Sequence, residues 1–236
     1  MSKIDKEYKV ALDNAKNFSA LSQCRHLDFP SNRKEIALKN LQTYLDYYKK
    51  IISAELGWRG YHPRGDYVLV TNILNCLSSV KSYLNRKKRE IDNKDIIGTY
   101  KTGLQNIYAK YWKSKRNETC IDKLIILRDI FEHDKISGIS IKALHNADRV
   151  EKFVMINDVD FNKLLIGAYA EIEKLDEEIK QYVEEQLSKL NLRHNILLLN
   201  AFHRFFKKKH YSLLFPEETV EEKEHYDNYI LSLKGN

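Results

Sequence analysis

Residues 161–190 read FNKLLIGAYAEIEKLDEEIKQYVEEQLSKL. Within them Ala168, Ile172, Leu175, Ile179, Val183, Leu187 and Leu190 recur at steps of three and four. That is the period at which side chains return to one face of an α-helix. No Pro interrupts the run, and a stretch this long is neither a strand nor a loop, so the reading that follows is mainly α. The rest of the circumference carries Glu171, Glu173, Asp176, Glu177, Glu178, Glu184 and Glu185. These carboxylates are expected to form a solvated face and not a catalytic pair.

The same period recurs on both sides of this segment. A first helix is expected over 4–22. A second, capped by Ser31, runs to about Leu56 on Leu38, Leu41, Leu45, Tyr48 and Ile52, with Gly57 closing it. The stretch from Trp58 to Gly65 reads as a loop. Asp66 caps a third helix over 67–86, and Asp95 a fourth whose stripe is Ile96, Tyr100, Leu104, Ile107 and Tyr111. A short apolar helix covers 118–132, and two more are expected over 194–210 and 217–233. Between them the period changes: Ile139 to Ala143 and Val150 to Ile156 are short and β-rich, with Asn146, Ala147 and Asp148 as turn formers. Only 8 Gly and 3 Pro occur in 236 residues, which favours long elements. The expected fold is a mainly α helical bundle of about five to eight helices with a small β-hairpin insertion at 139–156, in a single domain spanning 1–236.

Charge is distributed unevenly. The net charge is +7, but residues 1–116 carry +12 and residues 117–236 carry −5, and 81–116 alone hold 11 basic and 3 acidic residues. Such a concentration points to a polyanionic partner, nucleic acid above all, with Arg86, Lys87, Lys88, Arg89, Lys113, Lys115 and Arg116 as the contact residues. A structural reason competes for the first four, because cations in a last helical turn favour the helix dipole. Cys24, Cys76 and Cys120 are odd in number and far apart, which argues against a disulfide framework and a zinc site. The opening residues lack the apolar stretch of a secretion signal, and no run approaches the length of a membrane span. A cytoplasmic protein with no membrane association is expected.

The chemistry-bearing residues are few. There is no Gly-rich phosphate loop, no nucleophile elbow and no His-Glu-x-x-His pair, so triphosphate chemistry, hydride transfer and a metal site have no support, and no cofactor is expected. Among the 8 histidines one stands out by context. Residues 124–138 read LIILRDIFEHDKISG: Arg128 is followed by Asp129, and His133 comes after four intervening residues. Placed beside Ile125, Leu127, Ile130 and Phe131, an arginine costs free energy unless its guanidinium is paired or reaches solvent. A second Arg–His spacing, Arg204 to His210, lacks the polar neighbour, being followed by Phe205 and Phe206, and is set aside.

The Leu-Arg-Asp-Ile-Phe-Glu-His phrasing, at the end of an apolar helix after a run of long ones, resembles the HEPN family of small helical ribonucleases. Their motif is Arg, then usually Asn, Asp or His, then a His after four to six residues. The motif resemblance covers about fifteen residues here, and the helical organisation agrees over most of the chain. It implies a metal-independent endoribonuclease acting on RNA as a homodimer, of the toxin or phage-defence kind, controlled by an antitoxin or regulatory protein. By that resemblance His133 handles the 2′-hydroxyl proton, Arg128 holds the scissile phosphate, and Asp129 orients its neighbours. The competing reading is a non-catalytic helical interaction module using the acidic helix 168–190 and the hairpin 139–156. A nucleic-acid-binding regulator comes third, without a recognisable helix-turn-helix.

Overall fold

A computed structural model describes residues 3–25, 33–53, 67–93, 96–112, 118–133, 139–146, 149–207 and 217–234. Among them are eight α-helices and three short strands. In chain order these are α1 (Lys3–Arg25), α2 (Arg33–Ser53), α3 (Tyr67–Ile91), α4 (Gly98–Tyr111), α5 (Cys120–His133), β1 (Ile139–Asn146), β2 (Arg149–Ile156), β3 (Val159–Asp160), α6 (Phe161–Lys189), α7 (Leu192–Phe206) and α8 (Val220–Lys234). The mainly α class with a small β insertion is as the hydrophobic periods predict. No helix among the described residues is long and apolar enough to cross a membrane. The capping roles read for Ser31, Asp66 and Asp95, the Gly57 stop and the 58–65 loop lie outside the described residues. Where the sequence suggests one domain, the chain gathers into two compact units that interleave along it: 1–26, 91–103 and 180–236 in one, 27–90 and 104–179 in the other.

The first unit is built on α1, α7 and α8. Ala11 and Ala15 give α1 a small-residue face, which packs with Leu197, Leu198, Leu199, Ala201 and Phe202 of α7 and with Tyr226, Ile230 and Leu233 of α8. Tyr8 meets Phe202 edge to face at 5.5 Å, a geometry that suits the ring quadrupoles. The ends of α7 are fixed locally: the Asn191 side chain accepts from the His194 N–H, and Lys207 turns left-handed at φ 50° to donate to the His203 carbonyl. α8 begins with a capping box, in which Thr219 Oγ accepts from the Glu222 N–H at 3.2 Å and Glu222 returns the bond to the Thr219 N–H at 3.0 Å. Two arginines of α7 clasp this helix, Arg193 on Glu222 and Arg204 on both Glu218 and Asp227.

In the second unit the core side chains Tyr44, Leu69, Ile73, Leu77, Leu84, Leu104, Ile121, Leu124, Phe161, Leu165 and Leu175 are fully enclosed. The hairpin is present in the expected place, with Ile139 opposite Ile156 and Asn146 opposite Arg149. A third strand was not expected. Asn157 and Asp158 both adopt positive φ, 49° and 63°, which makes the tight turn that returns β3 onto β2. The chain leaves β3 directly into α6, whose first turn is capped by Asp160 accepting from the Lys163 N–H at 3.1 Å. Helix α5 is capped twice. Thr119 Oγ accepts from the Asp122 N–H, and the Glu171 carboxylate of α6 accepts from Cys120 N–H at 3.0 Å and Ile121 N–H at 2.8 Å. An anion at this helix end also meets the positive end of the dipole. The approach of α6 to α5 depends on Gly167, since a Cβ there would lie 2.5 Å from Cys120 Sγ.

The acidic side of α6 departs from the expected solvated face. Glu171 caps α5; Glu178 accepts from Lys110 and Tyr111, both at 2.6 Å; and Asp176 is enclosed by Lys34, Lys87 and Tyr83. At least three of the seven carboxylates are therefore spent on holding other helices. The stripe of α4 also differs, with Leu104 and Tyr108 as its buried residues. The Tyr108 hydroxyl donates to the Leu84 carbonyl at 3.0 Å, so the aromatic at 108 and not its neighbour at 107 faces inward.

Because α8 begins on the reciprocal Thr219–Glu222 bonds, Thr219→Ala is expected to lower stability by about 1 kcal/mol, while Thr219→Ser stays near wild type, as read by chemical denaturation.

Candidate functional site

Helix α5 runs unbroken from Cys120 through His133. Ile121, Leu124, Ile125 and Leu127 are buried, whereas Ile126 and Ile130 are exposed. Counting about 100° per residue, Arg128 falls on the same side as Ile121 and Leu124, the side that α5 buries. Its side chain is 17% exposed. A guanidinium there needs acceptors, and Arg128 Nη1 donates to Oδ1 of its sequence neighbour Asp129 at 3.0 Å.

Asp129 has a second cation. Lys81 Nζ, from α3, donates to the same Oδ1 at 2.8 Å. The Lys81 hydrogen bond is the main influence holding the Asp129 carboxyl below its ordinary range; partial burial opposes it, and the charges of Lys81 and Arg128 add to the lowering. Asp129 therefore stays ionised and acts here as an acceptor, not as an acid. The three groups come from two helices, α3 and α5.

His133 is the last residue of α5, and its backbone closes the helix. Its side chain lies outside the described part. Along one helix, five residues separate Arg128 and His133 by about 7.5 Å of rise and about 140° of rotation. Position 133 follows the exposed Ile126 and Ile130 at steps of four and three, so the three positions share one side of α5.

The candidate basic residues divide. Lys88 and Arg89 are exposed on α3, and Arg86 is exposed with its Nε 2.5 Å from Glu90. Lys87 is different. It is only 3% exposed, and its ammonium lies 2.5 Å from Asp176, so it is a cation of the interior and does not offer a surface contact. Lys34 reaches the same carboxylate at 2.8 Å, and the Tyr83 hydroxyl donates to it. Burial pushes the Asp176 carboxyl up, but Lys87, Lys34 and Tyr83 together outweigh burial and hold it below the ordinary aspartate value. Lys113, Lys115 and Arg116 lie outside the described residues, as does His210. Arg204 is engaged by Glu218 and Asp227, which agrees with setting its spacing aside. Lys81 was missed as a candidate because nothing in the local sequence links it to a residue 48 positions away.

Among the described residues no group of three or more His, Cys, Asp or Glu is arranged to hold a metal ion. No protein-family model, curated protein or solved structure matches the chain.

Removing Asp176 leaves Lys87 buried without its counter-ion, so Asp176→Ala is expected to cost about 3 kcal/mol or more, whereas Lys88→Ala stays within about 0.5 kcal/mol. The sign with pH follows from the lowered carboxyl. Its stabilisation is complete above the ordinary aspartate value near pH 4 and is lost as pH falls through the lower folded value. Urea denaturation between pH 2 and 7 should therefore show the gap between wild type and Asp176→Ala closing only on the acid side.

Proposed function

We propose that this chain is a metal-independent endoribonuclease of HEPN type, cutting RNA through its own 2′-hydroxyl and working as a homodimer, in the manner of a toxin or phage-defence effector. The observation that carries the reading is the half-buried Arg128 on α5, folded onto Asp129 with Lys81 beside it. A cationic donor held this way meets the need of a phosphate that gains charge as it reacts. In the proposed reaction His133 takes the proton from the ribose 2′-hydroxyl and that oxygen attacks phosphorus. The bond to the 5′-oxygen breaks, the leaving oxygen takes a proton from solvent water while the His133 imidazolium returns its own to solvent, and a 2′,3′-cyclic phosphate remains. Arg128 stabilises the extra negative charge on the phosphoryl oxygens.

The homodimer is supported by Ile126 and Ile130, each 37% exposed, on the side of α5 that also carries position 133. A two-fold axis across such a stripe lets the same side chains cover each other and brings two copies of α5 together. The alternative, a non-catalytic module docking through the acidic side of residues 168–190 and the hairpin, loses part of its surface, because Glu171, Asp176 and Glu178 are engaged within the unit.

In EDTA the wild type is expected to cleave a mixed RNA pool to products with 2′,3′-cyclic ends, and Arg128→Ala and His133→Ala to fall by about 100-fold or more. Equal cleavage by all three proteins would refute the assignment. Ile130→Glu should shift the protein from dimer to monomer in sedimentation and lower cleavage with it; an unchanged mass would remove the stripe from the argument.

A further inference from the structure

We propose that the helix pair α2–α3 carries a track for single-stranded RNA, in which Arg33 and Arg89 hold phosphates and Asn75, Ser78 and Asn85 meet base edges. This deepens the proposed function by naming where the strand lies, and it rests on the reading that the substrate is RNA. The two helices run antiparallel, because their contacts descend α3 as they ascend α2. Arg33 Nη1 donates to Ser82 Oγ at 3.0 Å, and Asn40 Nδ2 donates to the Asn75 carbonyl at 3.3 Å while the Asn40 carbonyl accepts from Cys76 Sγ at 3.3 Å. Beside this seam Thr71, Asn75, Ser78, Ser82, Asn85 and Arg89 recur along α3 at steps of four and three, so they share one side. All are exposed except the half-buried Ser82. From 71 to 89 that side runs about 27 Å. Lys81 leaves α3 at its margin to reach Asp129 of α5 at 2.8 Å, so a strand on the track passes beside the helix that carries Arg128 and His133.

Charge selects the occupant. Residues 67–89 contain no Asp or Glu, in a chain that has 33 of them. The two carboxylates of α2, Glu35 and Asp46, lie about 140° and about 120° around that helix from Asn40, so neither borders the track. Arg33 stands at Ser82, and Arg89 follows about 10 Å further along α3, a spacing that phosphates of one strand can span. A polyanion therefore meets cations here without a competing carboxylate. Toward Thr71 the surface is neutral, and its amides and hydroxyls offer both donors and acceptors, which base edges require. Ile36, 46% exposed and placed between Arg33 and Asn40 on α2, adds an apolar face for a base. A protein partner would ask for an apolar centre, and none of the six residues along α3 supplies one.

The test uses the full chain and a mixed-sequence 2′-O-methyl oligoribonucleotide, which keeps the phosphates and bases and cannot be cut through the 2′-oxygen. Affinity is measured over a KCl series. Replacing Arg33→Gln and Arg89→Gln together should make the slope of log K against log [KCl] shallower by about 1.4, the value of two single-strand phosphate contacts. Arg33→Lys with Arg89→Lys should restore the slope. Asn75→Ala with Asn85→Ala should lower affinity by about tenfold at every salt concentration and leave the slope alone, because the lost bonds are neutral. Lys223→Gln, which removes an exposed cation of α8, is the charge control. A slope change in the arginine variant no larger than that of the control overturns the track, and so does wild-type affinity in the asparagine variant. A wild type that does not bind the oligomer also overturns it and leaves this face to a protein partner. Cleavage of unmodified RNA separates the two claims. Binding with the expected changes but no cleavage refutes the nuclease and keeps the track, whereas cleavage with an unchanged slope refutes the track and keeps the nuclease.

Discussion

The carboxylate of Asp176 is the constraint on which the larger unit depends. It takes Lys34 from α2, Lys87 and Tyr83 from α3, and itself stands on α6. Three helices therefore meet at one charged group, and a displacement of α3 against α6 leaves the buried Lys87 without its partner. A buried ion pair contributes little net stability against an apolar alternative, but it penalises misregistered packing heavily. Apolar side chains can slide past one another at modest cost, whereas Lys87 can sit in only one place. Helix α3 is thereby fixed in rotation, and with it the direction in which Lys81, six residues earlier, leaves the helix.

A second carboxylate on the same side of α6 does comparable work at α5. Glu171 accepts from the first two N–H groups of that helix, which have no partner within it. Lys81 is held by the registration of α3, and Arg128 and Asp129 by the anchoring of α5. The cluster on Asp129 Oδ1 is thus a product of α6, which contributes none of its three members. Rigid elements placing a charged constellation give better-defined geometry than loops do.

The sequence made the helices legible because their stripes are long and interrupted by few glycines. Residues 139–156 declared themselves by a change of period. Strand β3 was invisible: two residues have no period, and its turn, Asn157-Asp158, lacks the glycine that usually marks one. Lys87 could have been read correctly. Continuing the α3 stripe from Val80 and Leu84 leads to 87 and then to Ile91, all buried. The Arg-Lys-Lys-Arg run drew attention to composition where register held the answer. Which acids of α6 turn inward was not legible, because their partners lie on other helices. The pairing of Lys81 with Asp129 was hidden for the same reason, whereas Arg128 was noticeable as a charge in an apolar helix.

The contact between Gly167 and Cys120 has a consequence for reactivity. The thiol faces Gly167 of α6, with no room even for a methyl group on that residue. Burial and then the nearby Glu171 carboxylate raise its pKa, so little thiolate forms at neutral pH. Cys120 itself is half-buried, so a reagent can approach it, and what holds labelling back is the small thiolate fraction. Its labelling rate is thus a gauge of the charge that Glu171 keeps beside it, built into the chain without an added probe.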